Sequence, residues 1–352
     1  MRTTLLRSIT AATALGASAL TALPAAAQQA AAPPAVTVGG VIYSQFLYQL
    51  KDSAGAGNQN QFSVQRAYIN AIGRFGTNFL ARATLDLAPT GAPGNQPIRL
   101  KYAYGQYTPD GSALSYKFGL IHTPWLDWEE SLWDYRMQGT MALDRNKYLT
   151  SSDFGAGIDG KWNNDQFNGQ VTVVNGEGYS GGTGDAGKDI QARLSLRLVE
   201  TDDASRVGGL RVTAYAGYGS PTGSGQRQRF VGMLSYRSKM ITLAGEFASA
   251  VDSTTAPATA QKTGQVISAF AVVKVPDSPV GLIARVDLVD PNTAAASIND
   301  KQTRIIAGIS YQVTPQFRLL ANIDNLTYEN PAPTAAQIAV QSQALFQAQI
   351  TF

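Results

Sequence analysis

The chain ends Ala344-Leu345-Phe346-Gln347-Ala348-Gln349-Ile350-Thr351-Phe352. At period two, Phe346, Ala348, Ile350 and Phe352 share one face, and Leu345, Gln347, Gln349 and Thr351 share the other. That alternation marks a strand, not a helix. A free last strand frays and leaves an unpaired edge, so a bare terminal aromatic suits a soluble domain badly. A closed barrel needs such a strand, because its last strand pairs with its first. The competing reading is the last strand of an ordinary β-sandwich. As a barrel strand, the stretch puts Phe346, Ala348, Ile350 and Phe352 on lipid and Gln347 and Gln349 on water. Its expected antiparallel partner across the closing seam is residues 38–50.

The same pattern recurs from Val36 onward, as stretches of about ten alternating residues followed by turn residues. Residues 38–50 set Val38, Ile42, Phe46, Tyr48 and Leu50 on one face. In 61–74, Ala67, Ile69 and Ala71 oppose Arg66, Asn70 and Arg74, and in 79–87 alternate apolar residues oppose Arg82, Thr84 and Asp86. In 98–107, Ile98, Leu100, Tyr102 and Tyr104 stand against Arg99 and Lys101, and in 114–121 Tyr116, Phe118 and Leu120 stand against Ser115 and Lys117. Further segments follow at 153–162, 166–175, 188–198, 210–218, 228–238, 241–249, 266–274, 282–288, 303–311, 317–323 and 343–352. The reading is an all-β, transmembrane antiparallel barrel of about sixteen strands, an even number as single-chain bacterial barrels require. Tyr43, Tyr48, Trp162, Tyr218, Tyr236 and Tyr311, near strand ends, are expected in interfacial girdles.

Charge supports the barrel over the sandwich. On the apolar face, charges occur only near strand ends, at Lys274 and Glu200. The opposite face carries Arg66, Arg82, Arg99, Lys101, Arg193, Arg197, Arg211, Arg229, Glu246, Arg285, Asp287, Arg304, Arg318 and Asp324. A charge on mid-membrane lipid costs ~2–4 kcal/mol, and one on water does not. A sandwich must keep its enclosed face dry, so a charged enclosed face points to a water-filled lumen. The basic residues expected to line it are Arg66, Arg82, Arg99, Lys101, Arg193, Arg197, Arg285 and Arg304. Short and long connections alternate, as periplasmic turns and outer loops do. Residues 201–208 form the one turn longer than its class.

At the other end, Arg2 and Arg7 precede an apolar stretch at 9–23, and Pro24-Ala25-Ala26-Ala27 supplies an A-x-A cleavage site. A secretory signal peptide is expected over 1–27, a flexible lead over 28–35 and the barrel over 36–352. There is no Cys, hence no disulfide framework and no thiolate metal site. Past the leader no run of about 18 apolar residues occurs, which excludes membrane helices. A mean hydropathy of −0.11 with 34 Gly and 15 Tyr suits a wall in which only alternate residues meet lipid. The formal charge is +3, and two of the positive charges, Arg2 and Arg7, belong to the leader; this balance argues against a nucleic-acid binder. The expected partners are outer-membrane lipid and small hydrophilic solutes or anions.

The longest gap, 122–152, is the third outer loop by strand count. It holds Trp125, Trp128, Trp133 and Tyr135, the acids Asp127, Glu129, Glu130, Asp134 and Asp144, and the bases Arg136, Arg145 and Lys147. A loop of this length is usually functional, and three tryptophans need an anchor on a wall or a neighbouring subunit. A short helix is expected within 126–141, with Asp127 near its start and Gly139 near its end. In the constriction reading, this loop folds inward and Asp127, Glu129, Glu130, Asp134, Arg136, Trp128 and Trp133 narrow the path. The loop carboxylates then face wall arginines and sort solutes by charge and size. The bland reading is a solvated surface loop with an aromatic plug.

Catalysis is not expected. His122, the one histidine, sits where a strand breaks into Thr123-Pro124. The glycines of 176–187 lack the Gly-Lys-Ser/Thr ending of a phosphate loop, and Asp185, Asp189, Asp202 and Asp203 match no known Ca²⁺ cage. No cofactor and no metal is assigned.

Several stretches carry a family likeness. Phe62-Ser63-Val64-Gln65-Arg66-Ala67-Tyr68-Ile69-Asn70-Ala71-Ile72-Gly73 resembles the second-strand motif of the phosphate-selective porin (porin O and P) family, which shows an Arg-Arg-Ala pattern there. Residues 98–107, with Tyr102-Ala103-Tyr104, are similar to its fourth strand. Lys117-Phe118-Gly119-Leu120-Ile121-His122-Thr123-Pro124 resembles its Gly-Gln-Phe-Lys-Thr-Pro motif, and 153–161 with 173–178 resemble the strand pair after its constriction loop. The terminal strand resembles the C-terminal signature of bacterial outer-membrane barrels. The likeness is specific over 62–178. It implies a sixteen-stranded, homotrimeric outer-membrane porin with an inward third loop, in a family whose best-known members select phosphate with an arginine ladder. Here Gln65 stands in place of one paired arginine, and the loop is acidic and Trp-rich. The expectation carried forward is therefore a porin with a mild anion preference, not phosphate selectivity. The alternative is a structural or adhesive barrel with a plugged lumen.

Overall fold

The computed structural model describes residues 35–51, 59–88, 97–181, 186–220, 225–253, 261–293, 300–329 and 342–352. The expected leader and residues 28–34 of the lead lie outside them. The strands are β1 Ala35–Lys51, β2 Asn60–Phe75, β3 Phe79–Leu87, β4 Ile98–Tyr107, β5 Leu114–His122, β6 Ser152–Trp162, β7 Phe167–Val174 and β8 Asp189–Val199. They continue with β9 Gly209–Gly219, β10 Gln226–Arg237, β11 Ile241–Ser253, β12 Lys262–Lys274, β13 Val280–Asp290, β14 Gln302–Thr314, β15 Phe317–Tyr328 and β16 Ser342–Thr351. All sixteen close into one antiparallel barrel, each paired with its chain neighbours and β1 with β16. Each expected segment became one strand. Two short helices, α1 Leu126–Trp133 and α2 Ala142–Arg145, lie in the third loop.

The seam forms between the expected partners, antiparallel. Ile42 stands opposite Ile350, and Phe46 opposite Phe346. Phe352 N donates to Gly40 O at 3.0 Å, and Gly40 N donates to Phe352 O at 2.8 Å. A Cβ at position 40 would lie 2.5 Å from Cζ of the Phe352 ring, well inside van der Waals contact. Glycine at 40 is what lets the terminal ring seat on β1. Phe346 is 52% exposed on the outer face, whereas Gln347 is 1% exposed in the lumen.

The pairing register shifts at five places among the described residues, and two of these β-bulges turn additional side chains inward. Tyr43 opposes Arg66 while Ser44 opposes Val64, so Gln65 is the extra residue in β2. Thr84 opposes Tyr102 while Leu85 opposes Leu100, so Lys101 is the extra residue in β4. Ile98 and Leu100 face outward as expected, but Tyr102 and Tyr104 are buried inside. A bulge moves the inside–outside parity by one residue, which a count across the whole segment overlooks. Tyr43 also leaves the expected girdle: it is buried in the lumen, edge-on to Tyr68 with ring centroids 6.2 Å apart.

Ile190, Leu194, Phe230, Leu234, Phe247, Ile305, Ile309 and Phe352 are exposed on the outer face. A continuous apolar band of this kind would aggregate in water. It matches hydrocarbon, in which a closed barrel leaves no backbone edge unpaired. The packed core lies inside the barrel, where the third loop meets an apolar sector of wall that includes Tyr215, Val231, Met233, Ala248, Phe270, Ile283 and Leu320.

Candidate channel constriction

The third loop folds inward because one side of it is apolar. Leu126, Trp128, Glu129, Leu132 and Trp133 of α1 are buried. Trp125 packs on Tyr215 at 5.9 Å, and Trp133 meets Phe270 edge-on at 5.3 Å. Acidic Asp127 and Glu129 in the first turn suit the positive end of the helix. The helix is shorter than expected. Asp134 takes a left-handed conformation (φ 53°), and its N–H bonds to Glu130 O at 3.1 Å, ending the helix well before Gly139.

Six lumen-side arginines then clamp the loop by donating to its backbone carbonyls. Arg193 Nε reaches Pro124 O at 3.0 Å, Arg206 Nη2 reaches Asp127 O at 2.6 Å, and Arg237 Nη1 reaches Ser131 O at 2.6 Å. Arg318 Nη1 reaches Asp134 O at 2.9 Å, Arg285 Nη1 reaches Thr140 O at 3.1 Å, and Arg229 Nε reaches Tyr148 O at 2.9 Å. Tyr135 Oη and Ser310 Oγ share a hydrogen bond of 2.7 Å, and Gln347 Nε2 donates to Met137 O at 2.6 Å. Arg206 comes from the unusually long turn 201–208, so that length has a use: it carries a cation to the start of α1.

This placement corrects part of the expected pore lining. Arg193 and Arg285 are buried under the loop, with the Arg193 guanidinium 4.1 Å from the centre of the Trp128 ring. Arg197 lies near the end of β8, paired with Glu200 at 2.6 Å, and Arg304 is paired with Asp324 at 2.7 Å. Trp128, Trp133 and Glu129 face the wall, away from open water.

The opposite side of the loop borders a cleft of about 320 Å³. The wall contributes Tyr43, Tyr68, Asn70, Arg82, Thr84, Lys101, Tyr102 and His122, and the loop contributes Asp127, Glu130, Ser131, Asp134 and Arg136. Beside it, fully buried Asp86 takes Arg66 through two hydrogen bonds (2.7 and 2.6 Å) and Arg99 through one (3.0 Å). Asp86 stood on the expected inner face, but its neutralising role depends on cross-strand proximity to both arginines.

The loop acids are also paired: Asp127 with Arg206 (2.7 Å), Glu130 with Arg136 (3.1 Å) and Asp134 with Arg318 (3.5 Å). Burial alone would raise the Asp127 carboxyl, but the Arg206 charge, with help from His122 and Lys117, holds it well below its ordinary value. Two cleft cations lack a carboxylate partner among the described residues. Arg82 donates to Asn70 (2.8 Å) and Thr84 (3.1 Å), and Lys101 donates to Tyr68 Oη (3.3 Å).

His122 is stacked on Tyr102 at 3.9 Å, with Nε2 3.1 Å from Arg82 Nη1. No hydrogen bond joins it to a serine among the described residues. Asp189 and Asp203 pair with Arg227 and Arg237, and Asp202 accepts the Lys239 N–H; Asp185 lies outside the described residues. Among the described residues, no three metal-ligating side chains cluster.

Glu129 makes loop docking depend on pH. It is buried against Glu246, carboxyl to carboxyl. Burial, and then the Glu246 carboxyl, push Glu129 well above its ordinary value. The docked loop therefore holds this proton more tightly than a released loop. Docking is strongest below the free Glu value of ~4.3 and weakens as pH rises from there to the raised value. Hydrogen exchange at the amides of 126–133, corrected for intrinsic rates, should accelerate from pH ~4 to ~8. Glu129→Gln should flatten that slope, and an unchanged slope would exclude Glu129 as its source.

No protein-family profile matches the sequence, and no curated protein matches it. Solved structures do resemble it. The anion-selective porin from Comamonas acidovorans is 13% identical, with a TM-score of 0.66 over 91% of this chain and 100% of that one. OmpT, an outer membrane protein of Vibrio cholerae, in its trimer form, is 11% identical, with a TM-score of 0.63 over 91% and 99%. OmpF of Salmonella typhi, in complex with daunomycin, is 13% identical, with a TM-score of 0.63 over 90% and 97%. At these identities the likeness is one of fold. This chain has the sixteen-stranded barrel fold of the bacterial outer-membrane porins.

Proposed function

We propose that the protein is a passive porin of the bacterial outer membrane, exported through residues 1–27 and assembled as a homotrimer. It admits small hydrophilic solutes and mildly prefers anions. One observation carries the sign: among the described residues, Arg82 and Lys101 face the cleft without a carboxylate partner, while Asp127, Glu130 and Asp134 each have a cation of their own. The charge left uncompensated in the cleft is positive, and it raises the local concentration of anions. The exposed apolar outer face supports the membrane setting. The trimer form of OmpT supports the assembly. Arg66 and Arg99 both lean on Asp86, which argues against a row of free arginines dedicated to phosphate. The geometry of His122 gives no support to a hydrolase.

Reversal potentials across a planar bilayer in a salt gradient test the sign. The native channel should prefer chloride over potassium, and Arg82→Glu with Lys101→Glu should invert the preference, because two uncompensated positive charges become negative. A native channel that prefers cations would overturn the anion reading. Protein that inserts yet passes no current would favour the plugged, adhesive barrel instead.

A further inference from the structure

The bulge in β4 buries a lysine whose hydrogen-bonding capacity is mostly unused. Lys101 is 4% exposed, yet among the described residues its ammonium makes one hydrogen bond, to Tyr68 Oη at 3.3 Å. An ammonium has three N–H donors, and a buried charge without partners is costly. Its other neighbours are rings: Nζ lies 4.7 Å from the centre of the Tyr68 ring and 5.5 Å from that of Tyr102. The phenols beside it are open too. Tyr68 Oη accepts from Lys101, so its own proton still needs an acceptor. The Tyr43 and Tyr102 hydroxyls have no hydrogen-bond partner among the described residues, and they are not sealed from solvent as the indole nitrogens of Trp125, Trp128 and Trp133 are. All four side chains line the cleft of about 320 Å³. Arg82 differs, because each of its nitrogens is turned to a neighbour: Nε to Thr84, Nη2 to Asn70 and Nη1 to His122.

We infer that Lys101 is the seat of a binding site for a small monocarboxylate, the anion of a short organic acid. A carboxylate brings only acceptors, and here it meets only spare donors. One oxygen takes the ammonium, the phenol hydroxyls donate to the remaining lone pairs, and the carbon body covers Val41 and the tyrosine rings. Charge and surface select the class. The loop side of the cleft carries Asp127, Glu130 and Asp134, and their repulsion is twice as large for a dianion such as hydrogen phosphate or succinate. Chloride has no carbon body to set against the rings. A neutral sugar leaves the ammonium without a counter-charge. This inference deepens the anion reading above and rests on it for passage, whereas binding is measured apart from passage.

The test uses full-length protein reconstituted in a planar bilayer at constant KCl, with butyrate added, or phosphate, succinate or glucose in its place. Butyrate should block the current saturably, at a half-blocking concentration roughly tenfold below that of the other three. Lys101→Met should raise that concentration by more than about tenfold and Tyr102→Phe by about three- to tenfold, whereas Lys101→Arg, which keeps the cation, should retain most of the block. Heat-modified gel mobility checks that each variant has assembled, and Tyr102→Phe decides in place of Lys101→Met if the latter does not assemble. Current that changes only linearly with butyrate overturns the proposal. So does equal block by phosphate, succinate or glucose, or native-like block in the deciding variant. A salt gradient reads the ion preference separately: a channel that prefers potassium and still shows the block loses the anion reading and keeps the site. If the protein passes no current, ligand-observed NMR of butyrate with detergent-solubilised protein decides. Saturable contact that weakens in Tyr102→Phe supports the site, and no saturable contact overturns it.

Discussion

Phe352→Asp should lower the amount of folded barrel in the membrane by tenfold to a hundredfold while leaving the conductance of any assembled channel close to native. The seam is the reason. Phe352 exchanges both backbone hydrogen bonds with Gly40, and its ring covers the Gly40 backbone. Moving a Phe side chain out of water stabilises by ~1.5–3 kcal/mol, and each ~1.4 kcal/mol is a factor of ten. Aspartate loses that term and places a carboxylate on the apolar face. Phe352 ends the β1–β16 ladder on the outer face, so the loss falls on the joining of β1 to β16 and not on the lumen. Appending several acidic residues after Phe352 should act in the same direction. Heat-modified gel mobility reads assembly, and single-channel recording reads the survivors. If conductance changed while assembly did not, the seam would not be the function of this strand.

Trp133→Ala and Trp128→Ala should release the third loop from an intact barrel. Both side chains are fully buried. Removing a buried Trp typically costs ~3–5 kcal/mol, about two to three and a half powers of ten in an equilibrium. That cost falls on docking, because the strand ladder is closed by backbone pairs that do not involve the loop. The expected result is normal assembly, higher and noisier conductance, and passage of larger neutral solutes in a liposome-swelling assay. Trp162→Ala, on the outer face, should do none of this. Folded Trp133→Ala protein with native conductance and size limit would show that the loop does not narrow the path.

Much of the barrel is legible in the sequence. The alternation of Ile190, Ala192, Leu194 and Leu196 against Asp189, Gln191, Arg193 and Ser195 identifies β8 and its lumen face without reference to another strand. Residues 79–87 do the same for Arg82, Thr84 and Asp86. Each is a local consequence of backbone pleat. The same rule misplaced Tyr102 and Tyr104, because the bulge at Lys101 exists only in the pairing of β4 with β3. It could not separate Arg82, which meets the cleft, from Arg193, which lies under Trp128. Both are arginines on the inner face of a strand.

The number of strands, their antiparallel order, the faces of most residues and the position of the long Trp-rich loop can all be read along the chain. All of these follow from period-two chemistry and connection length. Tertiary structure alone decided which charges are spent and which are free. It sent six arginines to loop carbonyls, gave Asp86 to Arg66 and Arg99, and left Arg82 and Lys101 facing the cleft with no carboxylate partner among the described residues. The physical reason is reach. A face is set by a residue's immediate neighbours, whereas an arginine's partner is whatever acceptor the folded loop brings within a few ångströms, from as far as 184 positions away in the chain.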